Sequence, residues 1–261
     1  MVGYFIGFGL NKVDSTQYNG WNGELKSAEK DIQDLSLLAE KASFVRWGRL
    51  LGEKATSSNV IDSLMKLSVT AQKGDIVWIA YSGHGAQSQN GVKKVESYCL
   101  YDGLFPEIEL RNLISALPSG VRVVVTLDCC HSGGFEKAIF ISKETKYNNE
   151  ADLSSFRVKV MPFDISMLVK ALPMSKKTAK LPMNGGQHIK WLMACQKTEY
   201  ALDGAQNGVF TAALLAAYRD SNEASYGNMY RTMYKLCEAV QHPQFKNTSH
   251  FFADTERFLK I

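Results

Sequence analysis

The sequence predicts an α/β domain in which a mostly parallel central sheet carries helices on both faces. Two observations predict this class. Five short runs are almost continuously hydrophobic, which is typical of strands covered on both faces. Between these runs, apolar residues recur at steps of three and four, which is typical of one buried helix face. Because strand and helix alternate along the chain, we expect right-handed crossovers between parallel strands.

The hydrophobic pattern predicts each strand and each helix separately. The predicted strands are 2–9, 43–47, 75–82, 121–128 and 189–195. The first two helices are predicted from two apolar series, Leu25, Ala28, Ile32, Leu35, Ala39 and Val60, Leu64, Leu67, Ala71. Three further helices are predicted over 107–116, 210–218 and 227–240. A chain of 261 residues with this order is expected to form one large domain.

Composition excludes several classes of protein. A chain that is 45% hydrophobic and 21% charged is globular rather than disordered, collagen-like or coiled-coil. Its longest apolar runs are far shorter than the ~18 residues of a membrane-spanning helix, and its N-terminus lacks the basic start of a secretory signal. The five cysteines form no CxxC pair, which fits a reducing compartment. We therefore expect a soluble, cytoplasmic protein with no membrane partner.

The segment from about 135 to 185 interrupts the alternation of strand and helix. Nine basic and four acidic residues fall between 137 and 180, so this stretch carries the whole excess of positive charge. A nucleic-acid interface and a solvated linker both fit a basic run, but the basic residues lie in one segment of low order, which favours the linker. We expect a mobile basic linker between a larger part, 1–134, and a smaller part, about 186–261. The nine basic residues are Lys137, Lys143, Lys146, Arg157, Lys159, Lys170, Lys176, Lys177 and Lys180.

Two predicted strands end in residues that carry chemistry. One strand runs into Ser82-Gly83-His84-Gly85, and another runs into Asp128-Cys129-Cys130-His131. Ligands of open parallel sheets bind beyond the carboxyl ends of the strands, so neighbouring strands would bring His84 and Cys130 to the same edge. An imidazole beside a thiol favours the thiolate and can protonate a leaving amine. The pair therefore predicts a cysteine nucleophile.

These motifs resemble those of a known family. YSGHG at 81–85 and DCCHSGG at 128–134 are similar to the catalytic motifs of caspase-like cysteine proteases of clan CD, and most similar to metacaspases and their prokaryotic relatives. ELKSAEKDI at 24–32, GVFTAALLAAY at 208–218 and QHPQ at 241–244 resemble further segments of the same family. The resemblance implies a caspase-like three-layer sandwich. It also implies that Cys130 is the nucleophile rather than Cys129, because Cys130 occupies the cysteine position of the pattern Asp-x-Cys-His-Ser-Gly.

The resemblance implies roles for the other site residues. His84 would be the catalytic acid and base, and the backbone N–H groups of Gly85 and Cys130 would hold the oxyanion. Asp128, Asp31 and Ser82 match positions that line the S1 pocket, which receives P1, the substrate residue before the cleaved bond. Two carboxylates there would select arginine or lysine. From the residues alone, Asp31 on a solvated helix face and Asp128 in a local cap or salt bridge remain alternatives.

The sequence departs from calcium-activated relatives in the loop from Gln87 to Glu96. That loop holds two lysines and one acid, whereas a hard cation needs several oxygen ligands. We therefore predict no metal, no cofactor and no calcium dependence. The expected partners are protein or peptide substrates, not nucleic acid, and the expected state is a monomer.

Two functions remain open on the sequence. One is an endopeptidase that cleaves after arginine or lysine and processes itself in the linker, at 175–180 or near 143–146. The other is a catalytically silent module that keeps the fold for binding or regulation.

Overall fold

The central sheet holds the predicted strands in parallel array. The computed structural model describes residues 1–90, 93–130, 156–196, 199–220, 224–248 and 255–261. The strands in chain order are β1 Gly3–Gly9, β2 Phe44–Leu51, β3 Ile76–Ser82, β4 Gly85–Asn90, β5 Lys93–Leu100, β6 Gly103–Pro106, β7 Arg122–Asp128, β8 Arg157–Val158, β9 His188–Met193, β10 Leu202–Asp203 and β11 Gln244–Asn247. The central sheet has the order β11-β9-β7-β3-β1-β2, and its strands are parallel except for the edge strand β11, which runs antiparallel to β9.

Helices cover both faces of this sheet. The second and third helices bury Val60, Leu64 and Leu110 in one apolar cluster, while the first and the last two bury Ile32 and Phe210 in the other. The predicted α/β class, a mostly parallel sheet between two helical layers, is confirmed. The helices in chain order are α1 Ala28–Lys41, α2 Ser57–Thr70, α3 Glu107–Ser115, α4 Phe163–Leu168, α5 Val209–Asp220 and α6 Tyr226–Cys237.

The first helix carries one acidic residue into the interior. Glu29 and Asp31 stand in the first turn of α1, where negative charge is favourable to the helix dipole. Ile32 and Leu35 pack into the core on the same side of the helix. Asp31 is completely buried, so it does not lie on a solvated helix face.

Two small sheets were not predicted from the sequence. The strands β4, β5 and β6 form an antiparallel meander directly after His84, and β8 pairs with β10 antiparallel. Both strands of the second sheet are only two residues long, so they are too short to show a hydrophobic alternation.

The second half of the predicted linker contains regular structure. Residues 156–185 include β8, α4 and a short 3-10 turn at Thr178–Lys180, whereas residues 135–155 lie outside the described part of the chain. Among the basic residues of the segment, Lys159 is fully buried. None of the described helices is long and apolar enough to cross a membrane.

Candidate active site

Two adjacent strands deliver the predicted residues to one edge of the sheet. β3 and β7 are parallel neighbours, and their last residues, Ser82 and Asp128, lie opposite each other in the register. The chain leaves both strands at this edge, so His84 and Cys130 emerge side by side, as the sequence predicts. Gly85 is required here, because a Cβ at this position would collide with the carbonyl oxygen of Cys130.

The imidazole of His84 is oriented by the loop before α1. Its Nε2 lies 3.0 Å from the carbonyl oxygen of Gly23, so this nitrogen carries the proton and donates it. The indole of Trp21 packs edge-on against the ring at 4.8 Å between centroids. The other nitrogen, Nδ1, has no hydrogen-bond partner among the described residues and is left available. Burial lowers the pKa of His84 to about 4, and the neighbouring Lys159 ammonium acts in the same direction.

The two adjacent cysteines have different surroundings. Cys129 points into the apolar cluster of the β7 face, where burial raises the pKa of its thiol well above the usual value. Cys130 instead places its Sγ 3.1 Å from the backbone nitrogen of Ala201, which donates a hydrogen bond to it. A thiol that receives a backbone N–H at a strand end is the better candidate for a nucleophile. This difference agrees with the choice of Cys130 over Cys129.

The predicted oxyanion donors converge on one oxygen. The backbone nitrogens of Gly85 and Cys130 lie 3.0 and 3.2 Å from the carbonyl oxygen of Lys159, and both donate to it. Two N–H groups aimed at a single carbonyl are the arrangement that stabilises negative charge on that oxygen during acyl transfer.

The three predicted pocket residues surround one cation. The Nζ of Lys159 lies 2.9 Å from Oδ2 of Asp31, 3.1 Å from Oδ1 of Asp128 and 3.0 Å from Oγ of Ser82. All four side chains are essentially inaccessible to water. The sequence predicts that the two carboxylates need a cation between them, and in the structure a lysine of the same chain supplies it.

Residues directly before α5 and in its first turn donate hydrogen bonds to both carboxylates. Asn207 and the backbone nitrogen of Gly208 donate to Asp31, at 3.1 and 2.9 Å. Thr211 donates its hydroxyl to Asp128 at 2.6 Å. A Cβ on Gly208 would collide with the Asp128 carboxylate and with the Lys159 ammonium. A glycine therefore leaves the space that a long basic side chain fills.

The charges of the pocket depend on one another. Burial raises the pKa of Asp31 to about 6, although the Lys159 ammonium opposes the rise. Burial also disfavours the Lys159 ammonium, but the carboxylates of Asp128 and Asp31 outweigh it and hold the pKa of Lys159 above its usual value. The Lys159 ammonium thus compensates two buried carboxylates, which would be left uncompensated without a cation between them.

Several residues of this site have no sequence signal that could have identified them. Gly23, Ala201 and Gly208 act through backbone atoms or through the absence of a side chain, which any sequence position offers. Lys159 is one of nine basic residues in the predicted solvated linker, and its sequence does not distinguish it from the other eight. That prediction is wrong for Lys159, because two buried acids of the fold bind it.

Possible metal ligands do not cluster in the described ranges. Groups of three or more His, Cys, Asp or Glu side chains that could hold an ion are not found among the described residues. The loop after His84 is described only in part, and Lys137 lies outside the described residues. The expectation that calcium is not required therefore stays a prediction.

Comparison with known proteins identifies the family of this chain. The profile of the caspase domain matches residues 13–253. Metacaspase-7 of Arabidopsis thaliana is 30% identical over 128 residues, which are 45% of this chain and 32% of that protein. Metacaspase-5 of Trypanosoma brucei brucei is 31% identical over 117 residues, 41% of this chain and 23% of that protein. The chain therefore spans less than half the length of these relatives.

Two further comparisons bear on the fold and on activity. The crystal structure of protein GSU0716 from Geobacter sulfurreducens superposes with a TM-score of 0.79 at 28% identity, covering 95% of this chain and 93% of that one. Inactive metacaspase-4 of Trypanosoma brucei brucei is 33% identical over 91 residues, 30% of this chain and 25% of that protein. Similarity of this kind extends to proteins with and without activity, so the site itself has to carry the functional argument.

Proposed function

The chain belongs to the caspase domain family of cysteine peptidases, and from this premise we propose that it is an endopeptidase that cleaves peptide bonds after lysine or arginine. Cys130 is the nucleophile, and His84 is the acid and base. One observation carries the proposal. A lysine side chain lies between Asp31 and Asp128 while the carbonyl of the same residue accepts hydrogen bonds from the N–H groups of Gly85 and Cys130.

The geometry supports a two-step acyl transfer. The Cys130 sulfur attacks the carbonyl carbon after P1, and the N–H groups of Gly85 and Cys130 stabilise the oxyanion, where one lost donor costs roughly 3 kcal/mol of barrier. His84 donates its Nε2 proton to Gly23, so Nδ1 is the nitrogen that takes the thiol proton and passes it to the leaving amine. Water then hydrolyses the thioester with His84 as base.

The pocket supports a preference for basic P1 residues. A buried pair of carboxylates attracts one cation and repels an acidic side chain. Arginine has a planar fork that can bind both carboxylates, and lysine fits as Lys159 does. Peptides with aspartate at P1 are expected to be ignored.

A pair of single substitutions tests the nucleophile. Cys130→Ala is expected to abolish hydrolysis of peptides with lysine or arginine at P1. Cys129→Ala keeps the reacting sulfur and is expected to retain about a tenth or more of the activity, since only core packing is affected. A library of P1 residues on the wild-type enzyme measures the specificity. Loss of activity in Cys129→Ala alone, or a best substrate with aspartate at P1, would contradict the proposal.

A catalytically silent binding module is the second candidate. It is favoured by the fact that Lys159 already fills the space between the two carboxylates. The Lys159 side chain lies between Asp31 and Asp128, where we propose that a substrate would bind, and one relative is named inactive. A peptidyl-arginine chloromethyl ketone distinguishes the two. The enzyme predicts stoichiometric labelling of Cys130, whereas a module predicts no labelling under any condition that keeps the chain folded.

The proposal includes processing and metal independence. We propose that the enzyme cuts itself within 135–185 and acts as a cytoplasmic monomer on protein substrates. Activity in millimolar EDTA is expected to stay within about twofold of the untreated value, because a hard cation needs more oxygen ligands than the 87–96 loop offers. A rise of tenfold or more on adding calcium would contradict this part.

A further inference from the structure

The residues around Lys159 form an extended strand that crosses the candidate active site. On one side, β8 pairs antiparallel with β10, and the Lys159 nitrogen donates to the carbonyl oxygen of Ala201 at 2.9 Å. On the other side, the Met161 nitrogen donates to the carbonyl oxygen of Gly85 at 2.9 Å, next to a parallel bridge between Val160 and Gly85. Backbone hydrogen bonds therefore hold the chain on both sides of the Lys159–Val160 bond.

Three independent contacts place Lys159 as a P1 residue. Its ammonium lies between Asp31 and Asp128, and its carbonyl oxygen accepts from Gly85 and Cys130. Its amide nitrogen bonds to Ala201, the residue whose own nitrogen donates to the Cys130 sulfur. The side chain, the carbonyl and the N–H of one residue are thus all bound as those of a substrate would be.

The bond after Lys159 also lies beside the acid. The Val160 backbone is near enough to His84 to raise the pKa of the imidazole, against the larger effect of burial. Val160 supplies the nitrogen that would leave if this bond were cut. The residue that carries the leaving nitrogen therefore lies next to the candidate acid.

We propose that Lys159–Val160 is the self-cleavage bond of this chain and that the uncut segment 157–161 blocks the cleft against other substrates. This inference rests on the proposed function. It places the cut outside the two stretches that the sequence favours, 175–180 and 143–146. Lys177 pairs with Asp62 on the surface, and the turn at Thr178–Lys180 is helical rather than extended. The stretch 143–146 lies outside the described residues.

The step is a hydrolysis with Cys130 as the transient acyl carrier. The sulfur bonds to the Lys159 carbonyl carbon, the C–N bond to Val160 breaks, and His84 transfers the thiol proton to the Val160 nitrogen. Water then adds to the thioester, leaving a carboxylate on Lys159 and a thiol on Cys130. One water molecule is consumed, and no redox partner is needed.

The products follow from the position of the bond. A cut after residue 159 divides the 29.1 kDa chain into fragments of about 18 and about 11 kDa. The smaller fragment begins Val-Met-Pro-Phe-Asp. N-terminal sequencing of that fragment identifies the bond directly.

Purified full-length variants test the proposal. Wild type and Lys177→Gln are expected to yield the Val160 N-terminus, Cys130→Ala is expected to remain intact, and Lys159→Gln is expected to lose this cut. Lys159→Arg is the rescue, because arginine fits the same acidic pocket and should restore cleavage at the same bond. A cut after residues 176, 177 or 180 with none after 159 would overturn the assignment, and so would unchanged cutting in Lys159→Gln.

A second variant covers the case in which removal of the buried cation unfolds the protein. None of the backbone hydrogen bonds described above uses the Val160 N–H, so Val160→Pro is expected to keep the contacts of Lys159 while the bond becomes a tertiary amide with no N–H. This variant is expected to stay full length and folded by circular dichroism. It should hydrolyse added peptide substrates at least tenfold more slowly than wild type, since its cleft stays blocked.

The outcomes separate this inference from the proposed function. If wild type hydrolyses peptides rapidly while its Lys159–Val160 bond stays intact, the function stands and the inference fails. If Val160→Pro is uncut and as active as processed wild type, the bond is right and the blocking role is wrong. If no variant cuts a peptide, cuts itself or is labelled by the chloromethyl ketone, the proposed function fails and takes the inference with it.

Discussion

Two stretches of the basic segment, 157–161 and 175–180, both carry lysine but have opposite environments. Lys159 is buried on an extended strand between the two pocket acids. Lys177 is 57% exposed in its side chain, stands beside a 3-10 turn and pairs with a half-exposed Asp62. Under the proposed self-cleavage, the lysine that is cut is the buried one and not the exposed one. A protease site has to receive an extended backbone, so the shape of the chain matters as much as its charge.

The largest expected difference between the two stretches lies in their acidic partners. Asp128→Asn removes one carboxylate from a buried pair, which typically costs ~3–5 kcal/mol. We therefore expect kcat/KM on arginine peptides to fall about 100-fold or more, with self-cleavage after Lys159 falling in parallel. Asp62→Asn is the matched control, because an exposed pair contributes roughly 0–1 kcal/mol. Equal rates for the two variants would remove the distinction between the stretches.

A second measurement uses an added lysine-specific protease on Cys130→Ala. Exposed turns are cut from the native state, whereas a buried strand is cut only after local opening. Cleavage after Lys176 or Lys177 is expected to be about 30-fold faster than cleavage after Lys159, which corresponds to an opening cost of about 2 kcal/mol. Mass spectrometry of a time course gives both rates. Early cleavage after Lys159 would show that the strand leaves the cleft freely.

Lys159 and His84 are both buried, and the pH dependence of the free energy of unfolding reports the burial of His84. A histidine whose pKa is lowered to about 4 in the folded protein stays neutral while the unfolded chain, with a value near 6.5, becomes protonated. The unfolded state then binds more protons, so stability falls as pH decreases through 6.5 towards 4. We expect His84 to contribute about 2 kcal/mol of destabilisation between pH 7 and pH 5.

Denaturant unfolding at both pH values isolates this contribution when Cys130→Ala is compared with Cys130→Ala/His84→Gln, because both chains are expected to remain uncut. The raised pKa of Asp31 acts with the opposite sign in the same range, but it is present in both proteins and cancels in the difference. An identical pH slope for the two variants would mean that the imidazole is accessible in the uncut chain.

The smallest expected effect concerns the space that the lysine occupies. Gly208→Ala puts a methyl group against the Asp128 carboxylate and the Lys159 ammonium, so we expect about a tenfold loss of kcat/KM on lysine and arginine peptides. Gly48→Ala on β2 is the control, since its nearest neighbour is a side-chain carbon of Ile6 at 3.3 Å. Steady-state kinetics on both variants, with melting temperatures, checks the prediction. Unchanged kinetics in Gly208→Ala would place the P1 side chain elsewhere.

The sequence by itself determined the α/β class and the positions of the chemistry. Hydrophobic runs locate β3 and β7, and the residues directly after a strand are carried to the sheet edge, so the placement of His84 and Cys130 follows from local patterns. Asp31 and Asp128 could be assigned together only through the family resemblance, because one stands on a helix and the other on a strand.

Only the tertiary structure decided which group fills the pocket. Nine basic residues of one segment have nearly the same local signal, and selection among them depends on backbone pairing with Ala201 and Gly85, both distant in the chain. The hydrogen bonds of Gly23, Ala201 and Gly208 come from main-chain atoms, which every residue type carries. Such contacts depend on where the fold places the backbone, so the sequence of the segment itself does not predict them.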